Sequence, residues 1–226
     1  MKKNNDIKIA GNLTINNWQE LNDHLNSEKD ENWGLAFHFF EERIRTRYLN
    51  PIHAILKMED NLGEGFAVVN LQCSLIETIE SFINGWISEF DLKFKKPIWK
   101  KDGLIVKYPN SNSTKNLGNC DIFISFFTNR EPFSELKING TDFFRSVRCG
   151  LLHETQTKNG WKIRAYQDGK SIDNKIIYRK KFQQDIETVI ENYKKFITIN
   201  DGNKTIELRK NFKEKFNHIC IKSEEK

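Results

Sequence analysis

The stretch from Phe66 to Phe90 constrains this chain more than any other. Val68, Leu75, Ile79, Phe82, Trp86 and Phe90 recur at spacings of three, four and seven, which places them on one helical stripe. Cys73, Ile76, Glu80, Ile83 and Ile87 form a second stripe, and Asn70, Ser74, Glu77, Ser81 and Asn84 form a third. A helix this apolar belongs at the centre of a fold, with the remaining elements packed around it. Glu77 and Glu80 then lie among core-facing neighbours and need partners.

The rest of the chain reads as further helices with one break. Residues 1–32 are polar and read as a peripheral segment, with a short strand over Ile7–Ile15 and a helix over Asn17–Asn26. From Trp33, the residues Phe37, Phe40, Ile44, Tyr48, Ile52 and Ile55 share a helical face, and Pro51 is expected to kink that helix near Asn50. Between Asp91 and Asn119 the period is lost, and a long loop with a short hairpin is expected there. Its run Leu92-Lys-Phe-Lys-Lys-Pro-Ile-Trp-Lys-Lys101 mixes cations with aromatic rings, a pattern that can stack bases but more often marks solvated surface. Helices are expected from Cys120 to Pro132, from Asp142 to Leu152, from Phe182 to Phe196 and from Leu208 to Ile219. Strands over Trp161–Tyr166 and Lys175–Tyr178, joined through Asp168-Gly169, read as a β-hairpin. The expected architecture is an all-α bundle with a β-hairpin excursion near residues 158–180. Its organisation is a peripheral segment (1–32), a helical domain (33–200) and a C-terminal helix (201–226).

The 17 Phe and 5 Trp supply enough large side chains for one packed core and exclude global disorder. A net charge of +5 suits a polyanionic partner as well as it suits ordinary surface charge. The four cysteines are far apart, with no C-x-x-C pair, so neither a zinc cage nor a disulfide framework is encoded. No carboxylate or Cys/His spacing marks a metal site, and no cofactor is expected. The N-terminal residues carry no signal-peptide pattern, and no run approaches the roughly 20 apolar residues of a membrane span. A cytoplasmic protein without membrane association is expected.

The chemistry-bearing candidate is Asp142-Phe-Phe-Arg-Ser-Val-Arg148-Cys-Gly-Leu-Leu-His153-Glu154, in which four residues separate Arg148 from His153. RNA cleaves itself when its 2′-OH attacks the adjacent phosphate, provided one group moves the hydroxyl proton and another stabilises the added negative charge. An imidazole does the first near neutral pH and a guanidinium the second. Arg47 and His53 have a similar spacing, but they flank Pro51 on a helix whose apolar face already explains it. The segments Tyr48-Leu-Asn-Pro-Ile52, Gly63-Glu-Gly-Phe66, Gln72-Cys-Ser-Leu-Ile-Glu77 and Arg148-Cys-Gly-Leu-Leu-His-Glu154 together resemble the HEPN family, in its bacterial plasmid- and defence-associated branch. The resemblance covers roughly residues 33–200.

That resemblance implies a homodimeric, metal-independent endoribonuclease in phage defence or a toxin–antitoxin system, with RNA as substrate and an antitoxin or defence protein as a possible partner. It assigns catalysis to Arg148 and His153. Glu77, Glu80, Arg145, Cys149 and Glu154 would support them, and Lys158, Lys162 and Arg164 would contact RNA. The family usually has a polar residue after the Arg, where this chain has Cys149. Members controlled by adenylylation carry a Tyr two residues past the His, where this chain has Thr155. Two rival readings remain open: an inactive dimer that binds RNA or nucleotide, and a helical adaptor for another protein. On a straight α-helix, residues five apart point about 140° apart, so Arg148 and His153 diverge unless Gly150 bends the path or a second copy completes the site. Phe143, Phe144, Leu151 and Leu152 are the candidates for packing at such a two-fold interface.

Overall fold

The computed structural model describes residues 7–58, 63–92, 95–166 and 168–224. The expected all-α class is corrected: about 59% of the chain is helical, 13% is strand, and three small sheets are present. The chain opens with a short hairpin of β1 (Lys8–Ala10) and β2 (Leu13–Thr14), followed by α1 (Ile15–Asn22). Next come α2 (Trp33–Ile44), α3 (Asn50–Leu56) and the long α4 (Glu64–Asn84). Gly85 then takes a left-handed conformation at φ 69° and ends α4. Trp86 and Phe90, expected to continue the helical stripe, instead flank and enter β3 (Ile87–Asp91).

The region expected to be mostly loop is an antiparallel sheet in which β3, β4 (Lys96–Lys101) and β5 (Leu104–Ile105) are neighbours in that order. Trp99 of β4 joins Trp86, Leu117 and Ile122 in a satellite core, which is why the sheet folds back on the body. Lys93 and Phe94 of the cationic aromatic run lie outside the described residues, as do residues 1–6. The chain continues through α5 (Asn119–Asn129), α6 (Gly140–Phe143) and α7 (Cys149–Glu154). A third sheet holds β6 (Lys162–Arg164), β7 (Ile172–Asp173) and β8 (Ile176–Tyr178). Two long helices, α8 (Arg179–Thr198) and α9 (Asn203–Glu224), close the fold.

The expected hairpin over 158–180 is also corrected. Its two predicted strands pair in parallel, with Lys162 opposite Ile176 and Arg164 opposite Tyr178. The hairpin partner of β8 is β7, with Ile172 opposite Ile177. The tight turn falls at Asn174 and Lys175, whose φ values of 46° and 63° suit a two-residue hairpin loop. Gly169 does turn the chain, at φ 94°, but within the crossover between β6 and β7.

Pro51 acts as expected in kind and differently in form. Its ring cannot accept an ordinary helical turn before it. The chain therefore widens over Arg45–Leu49 into a π-turn, in which the Asn50 amide donates to the Arg45 carbonyl five residues back. A matching π-turn spans Phe144–Arg148, where the Cys149 amide donates to the Phe144 carbonyl. Gly150 lies within the unbroken α7. Its missing side chain admits the return loop, because a Cβ there would lie 2.5 Å from the Gln156 carbonyl oxygen.

One core holds these elements together. The first 32 residues give it Ile9, Ala10, Ile15, Trp18 and Leu25, and α9 gives it Leu208, Phe212 and Phe216. By length and composition α4 could cross a membrane, but 61% of its apolar window is buried inside this protein. Two helices approach closely where α6 meets α5: a Cβ on Gly140 would stand 2.6 Å from the Ile124 Cα. Gly140→Ala is therefore expected to cost about 2–3 kcal/mol in urea denaturation. In α2, Gly34 has nothing within 4 Å of the same position, so Gly34→Ala is expected to gain about 0.5–1 kcal/mol.

Lys215 of α9 donates to the Trp86 carbonyl at 2.6 Å and lies near the rings of Phe82 and Trp99. Burial, aided by repulsion from Arg43, pushes its pKa down to about 8. The unfolded chain therefore binds more protons than the folded one between about pH 8 and the ordinary lysine value near 10.5, so this group makes stability rise with pH across that window. Lys215→Met is expected to flatten that rise, as read by denaturation midpoints at pH 7.5, 9 and 10.5.

Candidate active site

Arg148 ends the second π-turn and His153 sits near the end of α7, so both belong to one continuous helical path from Gly140 to Glu154. That path is fixed from behind by Asp142. Its carboxylate accepts from Ser146 Oγ at 2.8 Å and Trp161 Nε1 at 3.1 Å, and it pairs with Lys175 Nζ at 3.0 Å. Burial opposes ionisation, yet the bonds from Lys175, Ser146 and Trp161 hold the Asp142 carboxyl below the usual carboxylate range. Asn159 Nδ2 donates to Ser146 Oγ at 2.9 Å and the Lys158 amide to the Ser146 carbonyl at 2.8 Å. The third sheet is thereby locked to the motif helix.

Arg148 Nε donates to Glu77 Oε1 of α4 at 2.8 Å, with each side chain about one-fifth exposed. The two terminal guanidinium nitrogens take no partner among the described residues. One edge of the fork is thus held by a carboxylate, and the rest remains available to a second anion. Beneath the pair lies Cys73, whose thiol is pushed far up by burial and by Glu77. It contributes packing and not thiolate chemistry. Cys149, half-buried, is a free thiol beside the same cluster.

His153 is exposed, and no polar partner is found for it among the described residues. Ideal helical geometry over α7 places it about 140° around the helix from Arg148. One copy of the chain therefore presents the two side chains on diverging faces. Arg145 is exposed and unpaired among the described residues. Glu154 forms an ion pair with Lys158. Lys162 and Arg164 occupy the exposed positions of β6.

Glu80 belongs to a different place. Fully buried, it receives Arg130 Nε at 2.8 Å and Arg130 Nη2 at 2.9 Å, along with Ser125 Oγ at 2.6 Å and Asn84 Nδ2 at 2.8 Å. Arg130 is the residue that sequence reasoning missed; its only signal was its place at the end of a helix just before Glu131-Pro132. The second Arg/His pair is structurally employed. Arg47 Nη1 donates to the Ile9 carbonyl at 2.9 Å, and His53 Nε2 meets Glu187 Oε1 at 2.7 Å. Of the four candidate interface residues, Phe143 and Leu151 are buried in the core, Phe144 is half-buried and Leu152 is 49% exposed. No group of three or more His, Cys, Asp or Glu side chains among the described residues is arranged to hold a metal ion.

No family model matches the sequence, and neither a curated protein nor a solved structure is recognisably similar to it.

The two carboxylates of α4 are expected to differ in weight. Glu80→Ala leaves Arg130 uncompensated against the core and is expected to cost about 3–5 kcal/mol. Glu77→Ala frees a partly solvated guanidinium and is expected to cost about 1 kcal/mol. Guanidinium chloride titrations of the two variants measure the difference.

Proposed function

We propose that the protein is a homodimeric endoribonuclease of the HEPN type, working in the cytoplasm in phage defence or a toxin–antitoxin pair. The observation that carries the reading is the Arg148 guanidinium, tethered through Nε by Glu77 with its remaining nitrogens unclaimed. A cation held in this way stabilises charge that develops on a phosphate without having to reorganise. His153, exposed and without a polar partner, is the matching proton carrier. Arg145 adds a further unpaired cation on the same helical path.

In the proposed reaction one His153 takes the 2′-hydroxyl proton and the freed oxygen attacks the neighbouring phosphorus. Arg148 binds the non-bridging oxygens as their charge rises. A second imidazolium protonates the departing 5′-oxygen, leaving a 2′,3′-cyclic phosphate and a 5′-hydroxyl. Two proton carriers and a divergence of about 140° within one chain both favour pooling the motif across a two-fold axis, with Leu152 as the apolar contact beside it.

Arg148→Ala and His153→Ala are each expected to lower RNA cleavage by about 10² or more while leaving the circular dichroism spectrum and the dimer mass unchanged. Arg47→Ala and His53→Ala are expected to retain activity in whatever fraction stays folded. Cleavage is expected to persist in EDTA. Mixing Arg148→Ala with His153→Ala protomers is expected to restore part of the activity through sites that hold one intact copy of each residue. Wild-type cleavage by either motif variant, on labelled RNA in gel assays, would sink the proposal.

A further inference from the structure

A cavity of about 380 Å³ lies beside the last turn of α4, past the Glu77 that holds Arg148, and is not used by the proposed chemistry. It opens between the end of α5 with its following turn, the middle of α8 and the first turns of α9. Its size falls within the range of about 300–1,000 Å³ typical of small-ligand pockets. Ile83, Val189 and Leu208 supply apolar surface, and Asn129, Ser134 and Asn192 supply amide and hydroxyl groups.

One carboxylate, Glu131, lines the cavity, and against it stand three features that favour an anion. Arg130 lines it, and the bonds to Glu80 occupy Nε and Nη2, leaving Nη1 without a partner among the described residues. Lys204 also lines it and makes no ion pair among the described residues, its ammonium resting 4.5 Å from the centre of the Phe196 ring. Lys204 sits in the first turn of α9, a helix with no acidic side chain in that turn. A cation at the positive pole of a 22-residue helix is unfavourable until a negative charge joins it. A fourth feature points to a hydrogen-bonding ligand. Tyr193 lines the cavity and is 3% exposed, and its hydroxyl is buried without a hydrogen-bond partner among the described residues. Burial pushes that hydroxyl well above its ordinary pKa, so it stays a neutral donor and acceptor. An orphaned buried hydroxyl is costly unless something completes it.

We infer that this cavity binds a small phosphorylated polyol, a sugar phosphate, with its phosphate at Lys204 and Arg130 and its hydroxyls at Asn129, Ser134, Asn192 and Tyr193. The inference does not depend on RNA cleavage: it uses none of the motif residues. A ligand with several hydroxyls matches the density of amides and hydroxyls, and its C–H face matches the apolar lining.

Isothermal titration of the whole protein with ribose 5-phosphate and with glucose 6-phosphate tests it, with ribose, glucose and inorganic phosphate as separate arms. At least one sugar phosphate is expected to bind saturably, and at least tenfold more tightly than either of its parts. Lys204→Ala and Tyr193→Phe are each expected to weaken that binding at least tenfold. Tyr193→Phe is also expected to leave the unliganded melting temperature unchanged or higher, which a hydroxyl with a purely structural role would not do. Arg148→Ala is expected to bind as wild type, so the cavity stands or falls apart from the proposed active site. Failure of both sugar phosphates to saturate below 5 mM would overturn the inference. So would binding of inorganic phosphate alone at equal strength, or binding undiminished in Tyr193→Phe.

Discussion

The ring of Phe212 is the contact on which the assembly turns. It lies within 6.3 Å, centroid to centroid, of Trp18 from α1, Trp33, Phe37 and Phe40 from α2, Phe82 from α4, Tyr193 from α8 and Phe216 from α9. Elements from both ends of the chain therefore close on one aromatic cluster. Edge-to-face and tilted pairs of this kind add about 0.5–1.5 kcal/mol each beyond the area they bury, and they fix helix orientation more tightly than aliphatic packing. A second cluster, built from Phe123, Phe126, Phe127, Phe133, Phe143 and Phe182, seats the motif helix on α5 and α8. Much of the phenylalanine content of the chain is spent on these two assemblies.

Between them runs α4, and its two glutamates divide the molecule chemically. Glu77 faces the motif helix, where solvent reaches the pair and a guanidinium keeps spare hydrogen-bonding capacity. Glu80, one turn further on, is sealed and saturated by four donors. Both are carboxylates paired with an arginine, but Arg148 keeps both terminal nitrogens for a further anion, whereas Arg130 keeps only Nη1, on the side of the cavity.

The sequence made α4 legible because its apolar stripes are long and regular, and the helical path holding Arg148 and His153 because Val147 and Leu151 repeat the face of Phe143. The sheets were harder to read. β3 through β5 are short, and their inward Trp99 lies in a lysine-rich run whose charge masks the strand pattern. The parallel pairing of β6 with β8 is a long-range contact that no local turn signal announces, and Asp168-Gly169 pointed to the wrong turn. The N-terminal residues read as polar because few of those described face inward: Ile9, Ala10, Ile15, Trp18 and Leu25 are buried, and Ile7, Leu13 and Leu21 pack partly against the core. The Glu80–Arg130 pair spans 50 positions and follows from no periodicity.

Both π-turns left a trace in the spacing of apolar residues. Phe40, Ile44, Tyr48 and Ile52 are four apart three times running, as Phe143, Val147 and Leu151 are twice. On an ideal helix each such step drifts by about 40°, and one widened turn absorbs the accumulated drift. A π-turn is in effect a single inserted residue. The direction in which Arg148, Cys149 and His153 face is therefore set by a residue count upstream, independent of what those side chains are. Closing the wide turn over 144–148 into ordinary α-helix with no residue lost would rotate Arg148, Cys149 and His153 by about 100° relative to Asp142 and Phe143, whereas deleting one residue within 144–147 would close it and keep them facing as they do. A site can therefore be re-aimed by opening or closing one turn upstream, with no substitution at the site itself.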